Sequence, residues 1–420
     1  DEQVRRWESA GLVKEYEYWD FLGPVLDENG VCRGCVGQDL VTMQIRTFPA
    51  DAVIVAAGGC GLIYGRSTMS MVCTGSAVSR CFQAGAKYGN GEFIQVHPTA
   101  IPGADKLRLM SESARGEGGR VWVPRQPQDT RDPKSIPENE RYYFLESRYP
   151  KYGNLVPRDI ATREIFDICV NEGLSVERDR QCVYLDLTHI SKRELDRKLG
   201  GILDIYEKFQ GVDPRTAPMK IFPAVHYSMG GLWVDYQKSG DGGLTIGSPK
   251  THVTNVPGLY AIGECDYQYH GANRLGANSL LSCIFTGLIT APAIESALKN
   301  QKSSAADLAP SLFESARNMH QQRHDSLLKR NGGENPYLIH QELGDVMTRA
   351  ATVVRRNEQL QEAYDKVCEL ANRAEKSSLS DSGNWSNQNV VFTKALQDMF
   401  PVAKSIIKGC LLYTSPSPRD

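Results

Sequence analysis

The feature of this sequence that most constrains its fold is a pair of short apolar segments that each end in glycine. Residues 51–59 form a β-branched run that closes on two glycines, and residues 258–263 form a second run of the same kind. Such a run predicts a buried strand followed by a tight turn. Because residues 60–257 separate the two segments, we expect one nucleotide-binding domain interrupted by a long insertion.

The segments near these strands also carry clear local signals. Residues 23–47 alternate β-like stretches with turn residues, which favours a small antiparallel unit. Ser76 begins an amphipathic stretch that predicts a helix. Within the insertion, Ser191 and Glu194 form a capping-box pattern, which predicts a helix that runs to Gly211.

The second half of the chain changes to helical spacing. Apolar residues recur every three or four positions over residues 312–329 and 338–374, which predicts helices there. We therefore divide the chain into a nucleotide-binding domain in two parts, an insertion, a helical domain and a tail. Their ranges are 1–90 and 226–298, 91–225, 299–409, and 410–420.

The two ends of the sequence read as artificial boundaries. The chain has no initiator methionine, and it opens with residues typical of the middle of a protein. Residues 410–420 resemble the translation of a sequencing-library adapter, so we exclude them from fold reasoning. We expect a fragment cut at both ends.

Composition excludes some classes of protein. The net charge of −2 argues against a broadly basic nucleic-acid binder, so no nucleic-acid partner is expected. Eleven cysteines without a paired framework fit reduced, intracellular thiols. Residues 277–294 carry no charge, but their polar side chains and Pro292 favour a buried helix over a membrane span. Any membrane link should then come through a partner.

Five local clusters set histidine, arginine or glutamate among glycines and prolines, where rigid loops present polar groups. They lie at residues 95–99, 111–119, 157–159, 225–231 and 263–280. Each is a weak signal alone, since a single histidine such as His97 or His226 is more often structural. Arg158 beside Asp159 is likewise most often a local ion pair.

Together and in this order, the clusters resemble those of the succinate dehydrogenase and fumarate reductase flavoprotein family. The resemblance covers residues 1–409, and its most specific parts are residues 107–119 and 220–231. It is strongest to the succinate dehydrogenase flavoprotein subunit of bacteria with a dihaem membrane anchor. It implies an α/β fold, with a Rossmann-like FAD-binding domain interrupted by an α+β capping domain and followed by a helical domain.

The resemblance also implies the chemistry. Succinate would be oxidised to fumarate by hydride transfer to FAD, with Arg158 as the proton shuttle. Glu112 and Arg115, three residues apart, would form the relay between that arginine and solvent. The two carboxylates of the substrate require positive charge and donors, and charge-assisted bonds contribute about 1.5–3 kcal/mol each. The residues implied to bind them are His97, Ser111, His226 and Arg274.

The implied cofactor is FAD, attached covalently through a histidine outside these residues. The dinucleotide-binding GxGxxG fingerprint would also lie upstream. Glu264 would bind ribityl or ribose hydroxyls, while the positive end of the helix after residue 277 would face the flavin. The other residues implied to contact FAD are Gly58, Gly59, Asn278 and Ser279. No metal ligands are implied.

The implied partners are an iron–sulfur subunit and, through it, a membrane-anchor cytochrome b. This would place the protein peripherally on the cytoplasmic face of the bacterial inner membrane. The motifs leave the reaction direction open, so a fumarate reductase is an alternative, as is L-aspartate oxidase. A third alternative is an inactive fragment that holds FAD poorly.

Two further patterns, a pair of cysteines and a pair of histidines, are weak candidates for metal sites. Cys32 and Cys35 lack a second pair of ligands at zinc-binding spacing. His320 and His324 lie four residues apart on a predicted helix without the glutamate of a metalloprotease, so we expect them on a solvated helix face.

Overall fold

The computed structural model describes residues 2–101, 103, 108–177 and 181–412 of the chain. Within them the strands are β1 (Trp19–Leu26), β2 (Cys32–Asp39), β3 (Ile45–Pro49), β4 (Val53–Val55), β5 (Tyr88–Gly89), β6 (Ile94–Ile101), β7 (Arg108–Leu109), β8 (Arg120–Pro124), β9 (Arg141–Tyr142), β10 (Val183–Asp186), β11 (Met219–Ser228), β12 (Gly231–Leu232) and β13 (Leu259–Ala261). The α-helices are α1 (Glu2–Ser9), α2 (Ser76–Gln83), α3 (Ser113–Gly116), α4 (Phe144–Arg148), α5 (Arg158–Phe166), α6 (Lys192–Gln210), α7 (Asn278–Lys299), α8 (Pro310–Leu328), α9 (Pro336–Ala350), α10 (Asn357–Ala374) and α11 (Gln388–Leu412).

The two glycine-terminated segments meet in space, as the sequence predicts. β4 and β13 pair in parallel, with Val53 opposite Leu259 and Val55 opposite Ala261. The side chain of Val78 on α2 packs into the same apolar cluster as Val55 and Leu259. The antiparallel unit predicted from residues 23–47 forms the sheet β1-β2-β3.

The insertion builds its own sheet and core. Six strands are ordered β7-β6-β11-β10-β8-β9, and every neighbouring pair is antiparallel. The amphipathic helix α6 buries Leu195, Leu199 and Leu203 against this sheet. The predicted bounds of the helix are confirmed, because Ser191 accepts a hydrogen bond from the backbone of Glu194 and Gly211 ends the helix in a left-handed conformation. Of the predicted capping box, the structure shows this serine bond.

The C-terminal helices pack around a third core that also contacts the nucleotide-binding part. α9, α10 and α11 contribute Leu343, Val367 and Phe400 to one cluster, which extends to Ile63 and Val225. Residues 338–374, predicted as one helical stretch, form two helices, α9 and α10. α11 continues through the buried Cys410 to Leu412, and the remainder of the expected tail, residues 413–420, lies outside the described residues.

α9 touches the nucleotide-binding part at a contact between two glycines. The backbone N–H of Gly65 donates to the carbonyl of Gly344 over 3.0 Å. A Cβ on Gly344 would lie 2.8 Å from Gly65 Cα, so neither position tolerates a larger residue without movement of the helix. This contact fixes the loop that carries Thr68 against the helical part.

Helix α7 confirms the predicted helix but not its predicted burial. Leu280 is 73% exposed and Leu288 70% exposed, because none of the described residues covers this side of the helix. Among the described residues, α7 alone is long and apolar enough to cross a membrane by length and composition. It nevertheless buries Ser282 and Thr286 against the protein.

The prediction that His320 and His324 lie on a solvated helix face is wrong for His324. Its side chain is buried, with Nε2 3.1 Å from Asn384 Oδ1 and Nδ1 3.2 Å from Lys394 Nζ. The histidine lies where α8 packs against α11, a contact between distant segments that helical spacing alone does not reveal.

Candidate active site

Two histidines face each other on neighbouring strands of the inserted sheet. His97 lies on β6 and His226 on β11, and their ring centroids are 5.0 Å apart at an angle of 70°. The register pairs Val225 with Val96 and Tyr227 with Gln95, which leaves His226 without an opposite residue. Such a bulge changes the direction of a side chain, and here it brings His226 toward His97.

His97 is held in one tautomer. The backbone N–H of Thr99 donates to His97 Nδ1 over 3.2 Å, so the ring proton resides on Nε2. This atom lies 3.3 Å from Glu112 Oε2 but lacks the geometry of a hydrogen bond, and it has no other partner. Burial lowers the pKa of His97 to about 4, so the ring is neutral near pH 7 and presents one N–H donor.

His226 is held by a hydroxyl group. Thr68 Oγ1 lies 2.7 Å from His226 Nδ1, a short hydrogen bond. Burial, followed by the proximity of His97 and Arg274, lowers the pKa of His226 to about 3. His226 is therefore also a neutral imidazole near pH 7.

Glu112 joins the two arginines predicted to act in proton transfer. Its Oε1 accepts from Arg115 Nε over 2.9 Å, and its Oε2 accepts from Arg158 Nε over 3.0 Å. Burial raises the pKa of Glu112, but the opposing effect of His97 and Arg115 is larger and lowers it to about 2. The Glu112 side chain is 33% exposed and that of Arg115 only 3% exposed, so the chain of ion pairs Arg158–Glu112–Arg115 meets solvent at Glu112.

Arg115 and Arg158 owe their positions to the surrounding backbone. Arg115 lies on the short helix α3, and its guanidinium donates to the carbonyls of Asn154 and Val156 over 2.9 and 3.1 Å. Pro157 precedes α5, so Arg158 is the first residue of that helix. The restricted φ of proline suits its place immediately before the first turn of the helix.

Arg158 and Arg274 each have an unused donor and lie close enough for their charges to interact. Arg158 Nη1 and Arg274 Nε are buried and have no hydrogen-bond partner. Burial, followed by the charge of Arg158, lowers the pKa of Arg274. Glu112 offsets the charge of Arg158, whereas Arg274 has no carboxylate partner among the described residues, so a bound anion would stabilise the pair. With His97 Nε2, they form a set of donors suited to a small dianion.

Ser111 is not part of this donor set. Its hydroxyl donates to Ser113 Oγ over 3.2 Å and accepts from the Ser113 backbone over 3.3 Å. The structure thus shows it bonded within its own turn. Leu107, the first residue of its motif, lies outside the described residues.

Among the residues predicted to hold FAD, Gly59 and Glu264 lie next to each other, and we refer to Gly58, Gly59, Glu264 and the first turn of α7 as the candidate flavin cradle. Gly58 follows β4 with a φ of +71°, which a glycine adopts without strain. A Cβ on Gly59 would lie 2.4 Å from Glu264 Oε1, so this glycine is required for packing within the chain. Glu264 accepts from the Ser228 backbone over 3.0 Å, and burial raises its pKa to about 7. A buried carboxyl group with spare acceptor capacity fits a hydroxyl-rich ligand.

Asn278 and Ser279 open helix α7 after Ala277, which adopts a left-handed φ of 64°. Both side chains are half-buried. Their place in the first turn of a long helix suits the binding of a polar or anionic group. The residues present therefore fit FAD, although no described contact joins Asn278 or Ser279 to the arginine cluster.

Three residues of the site were not singled out by sequence reasoning. They are Thr68, which bonds His226; Thr99, which fixes His97; and Tyr227, which lies beneath Arg274. Thr99 and Tyr227 fall inside quoted motifs but carry no charge or nucleophilic pattern. Thr68 is distant in sequence from its partner, so no local signal identifies it.

Comparison with known proteins identifies the family of this chain. The FAD binding domain family matches residues 8–280, and the fumarate reductase flavoprotein C-terminal family matches residues 340–412. The chain belongs to the FAD-binding-domain family of flavoproteins. This confirms the resemblance to succinate dehydrogenase and fumarate reductase flavoproteins on which the predictions rest.

Individual relatives are named as succinate dehydrogenase or fumarate reductase flavoprotein subunits. The succinate dehydrogenase flavoprotein subunit of Bacillus subtilis is 53% identical over 409 residues, which cover 97% of this chain and 65% of that protein. The fumarate reductase flavoprotein subunit of Escherichia coli is 29% identical over 393 residues, which cover 93% of this chain and 61% of that protein. The chain thus spans somewhat less than two thirds of the length of these relatives.

Solved structures confirm the predicted fold class. A mutant of the E. coli quinol fumarate reductase FrdA superposes with a TM-score of 0.80 at 27% identity, covering 95% of this chain and 64% of that one. A quinol-fumarate reductase with menaquinol molecules gives a TM-score of 0.83 at 26% identity, covering 98% of this chain and 67% of that one.

Proposed function

We propose that this chain is the catalytic core of a succinate dehydrogenase flavoprotein subunit, which oxidises succinate to fumarate. The observation that carries the proposal is the set of buried, unpaired donors on Arg158, Arg274 and His97. The same site would serve fumarate reduction, so the direction stays open. The similarity to named succinate dehydrogenase and fumarate reductase subunits supports this substrate class.

In this proposal the two arginines and the two histidines bind the dicarboxylate. Arg158 and Arg274 supply two positive charges to match the two carboxylates. Charge-assisted hydrogen bonds contribute about 1.5–3 kcal/mol each. His97 and His226 are neutral, so they add hydrogen bonds without adding further charge. The arrangement orients the central C–C bond of the substrate.

The proton would move through Arg158, Glu112 and Arg115. Arg158 lies between the donor set and Glu112, which it contacts over 3.0 Å. For succinate oxidation, Arg158 would first pass its Nε proton to Glu112 Oε2, and Glu112, held by Arg115 and 33% exposed, would release that proton to solvent. The neutral Arg158 would then take up the proton removed from the substrate carbon and regain its charge. Bound FAD would supply the hydride acceptor.

We further propose that Gly58, Glu264 and the first turn of α7 hold FAD. Covalent attachment of FAD through a histidine outside these residues is part of the same proposal. The proposal also includes the division of the chain into FAD-binding, capping and helical domains. It further includes the role given to each site residue. The support is the FAD-binding family match and the fit of the cradle.

The proposed partners are an iron–sulfur subunit and a membrane-anchor cytochrome b, at the cytoplasmic face of the bacterial inner membrane. The support is indirect. The structural neighbours are quinol-fumarate reductases, one of them with menaquinol molecules. Co-purification of the complete gene product with an iron–sulfur protein and a haem protein from membranes would test this assignment.

The activity is tested by succinate-dependent dye reduction with the complete gene product and FAD. Arg158→Ala should lose most of the activity because it removes both a carboxylate ligand and the proton shuttle. Arg163→Ala, on the same helix but half-exposed and 3.4 Å from Asp159, is the matched control and should retain activity. L-aspartate serves as the competing substrate. Turnover of aspartate alone, or succinate turnover indifferent to Arg158, would contradict the proposal.

A further inference from the structure

Arg274 is a buried cation without a carboxylate partner. Its side chain is buried with the residue only 4% exposed, and none of the described carboxylates forms an ion pair with it. Its Nε has no partner, and its Nη1 contacts only the carbonyl of Leu275, at a long 3.5 Å. A guanidinium in this state needs another source of stabilisation and of orientation.

The aromatic face of Tyr227 provides both the stabilisation and the orientation of this guanidinium. The guanidinium carbon of Arg274 lies 4.7 Å from the centroid of the Tyr227 ring. A cation above an aromatic face is attracted by the ring quadrupole, and the attraction grows when water is excluded. Tyr227 is itself 6% exposed, so this contact is formed in a largely dry environment.

The Tyr227 ring is in turn anchored to the helix that opens beside the flavin cradle. Its hydroxyl lies 3.4 Å from His270 Nε2, and the same nitrogen lies 3.2 Å from Ser282 Oγ on α7. The His270 ring packs edge-on against Tyr227, with centroids 5.3 Å apart. These contacts limit rotation of the tyrosine, so its face stays beneath Arg274.

Other contacts hold the backbone of Arg274 and not its head group. Gln95 Nε2 donates to the Arg274 carbonyl over 2.6 Å. This bond fixes the start of the side chain, while the guanidinium remains several rotatable bonds away. Among the described contacts, the aromatic face of Tyr227 is the one that sets the plane and position of the guanidinium.

We propose that Tyr227 is a positioning residue that holds Arg274 by a cation–π contact in the orientation that binds a substrate carboxylate. The inference rests on the proposed dicarboxylate site and adds a determinant of its affinity. It requires that affinity depend on the electron density of the ring face, and not only on the volume of the side chain.

The test is a ring-fluorination series at position 227. Tyr227→Phe is compared with the same position carrying mono-, di- and trifluorinated phenylalanine, introduced by stop-codon suppression. Fluorine weakens the negative face of the ring with little change in volume. Succinate binding to the chain is measured by isothermal titration calorimetry. Tyr227→Phe should bind within about threefold of the unmodified chain, and affinity should then fall stepwise, by about tenfold at three fluorines.

The matched control is the same series at Phe144, a buried ring on helix α4 whose aromatic neighbour is Tyr142. Succinate affinity should not change there. A flat series at position 227, or an equal loss at Phe144, would overturn the role of Tyr227 while the dicarboxylate site stands. Failure of the unmodified chain to bind succinate would overturn the proposed function, and this inference with it.

Discussion

Replacing His97 by glutamine should make the protein less sensitive to acid. Burial lowers the pKa of His97 from 6.5 to about 4 in the folded state. In the unfolded chain the ring takes up a proton near its ordinary pKa of about 6.5. The folded state therefore loses stability as the pH falls below 6.5, and this loss continues until the folded pKa is reached. Above pH 6.5 the contribution is fully present.

The size of the effect follows from the shift. A difference of about 2.5 pKa units corresponds to about 3 kcal/mol for the complete transition. At pH 5, about 2 kcal/mol of this is already lost. His97→Gln has no ionisable ring, so it lacks this part of the acid sensitivity. Lost packing in the variant adds an offset that does not depend on pH.

The assay is urea unfolding of both proteins at pH 8, 7, 6 and 5, followed by tryptophan fluorescence. Trp122 is fully buried on β8, in the same six-stranded sheet as His97, and its fluorescence reports on the unfolding of that sheet. The difference in unfolding free energy between the wild type and His97→Gln should change by about 2 kcal/mol between pH 8 and pH 5. His189→Gln, at an exposed position, is the control. A difference that stays constant with pH would refute the assignment of His97 as a buried neutral imidazole.

Three smaller predictions concern single contacts. Ser191→Ala removes the cap of α6 and should lower the urea-measured free energy of unfolding by about 1 kcal/mol; an unchanged midpoint would contradict the cap. Gly230→Ala places a Cβ 2.0 Å from the Asn90 carbonyl oxygen and should cost about 3 kcal/mol or prevent folding, seen as loss of soluble protein; a normal yield and melting temperature would contradict it. Thr68→Val removes the hydroxyl beside His226 and should weaken succinate binding about fivefold in calorimetry, whereas Thr68→Ser should not; equal affinities would remove Thr68 from the site.

The parts of the fold that follow from sequence are those set by local chemistry. The β-branched runs before Gly58 and Gly263 predict β4 and β13, because such residues favour strands and glycine permits the turn. Ser191 and Gly211 bound α6 because capping needs only neighbouring residues. The candidate site residues, in contrast, were implied by resemblance to a family. The approach of His97 to His226 comes from pairing between two strands that are far apart in sequence.

What local reasoning missed has one physical origin. The bulge that redirects His226 exists only because β11 pairs with β6. Thr68 reaches His226 through a contact between segments that lie far apart in sequence. The burial of His324 and the exposure of Leu280 on α7 depend on which elements pack beside each helix. These features depend on tertiary packing, which the spacing of hydrophobic residues along the sequence does not reveal.

The central claim is that Arg158, Arg274 and the two histidines form a site for a dicarboxylate. The most direct measurement compares the affinities of fumarate and crotonate for the chain by calorimetry, since crotonate differs from fumarate in having a methyl group in place of one carboxylate. Fumarate should bind about tenfold or more tightly, because crotonate leaves one arginine unpaired. Arg274→Ala should remove most of that difference. Equal affinities for the two ligands, or a difference that persists in Arg274→Ala, would contradict the claim.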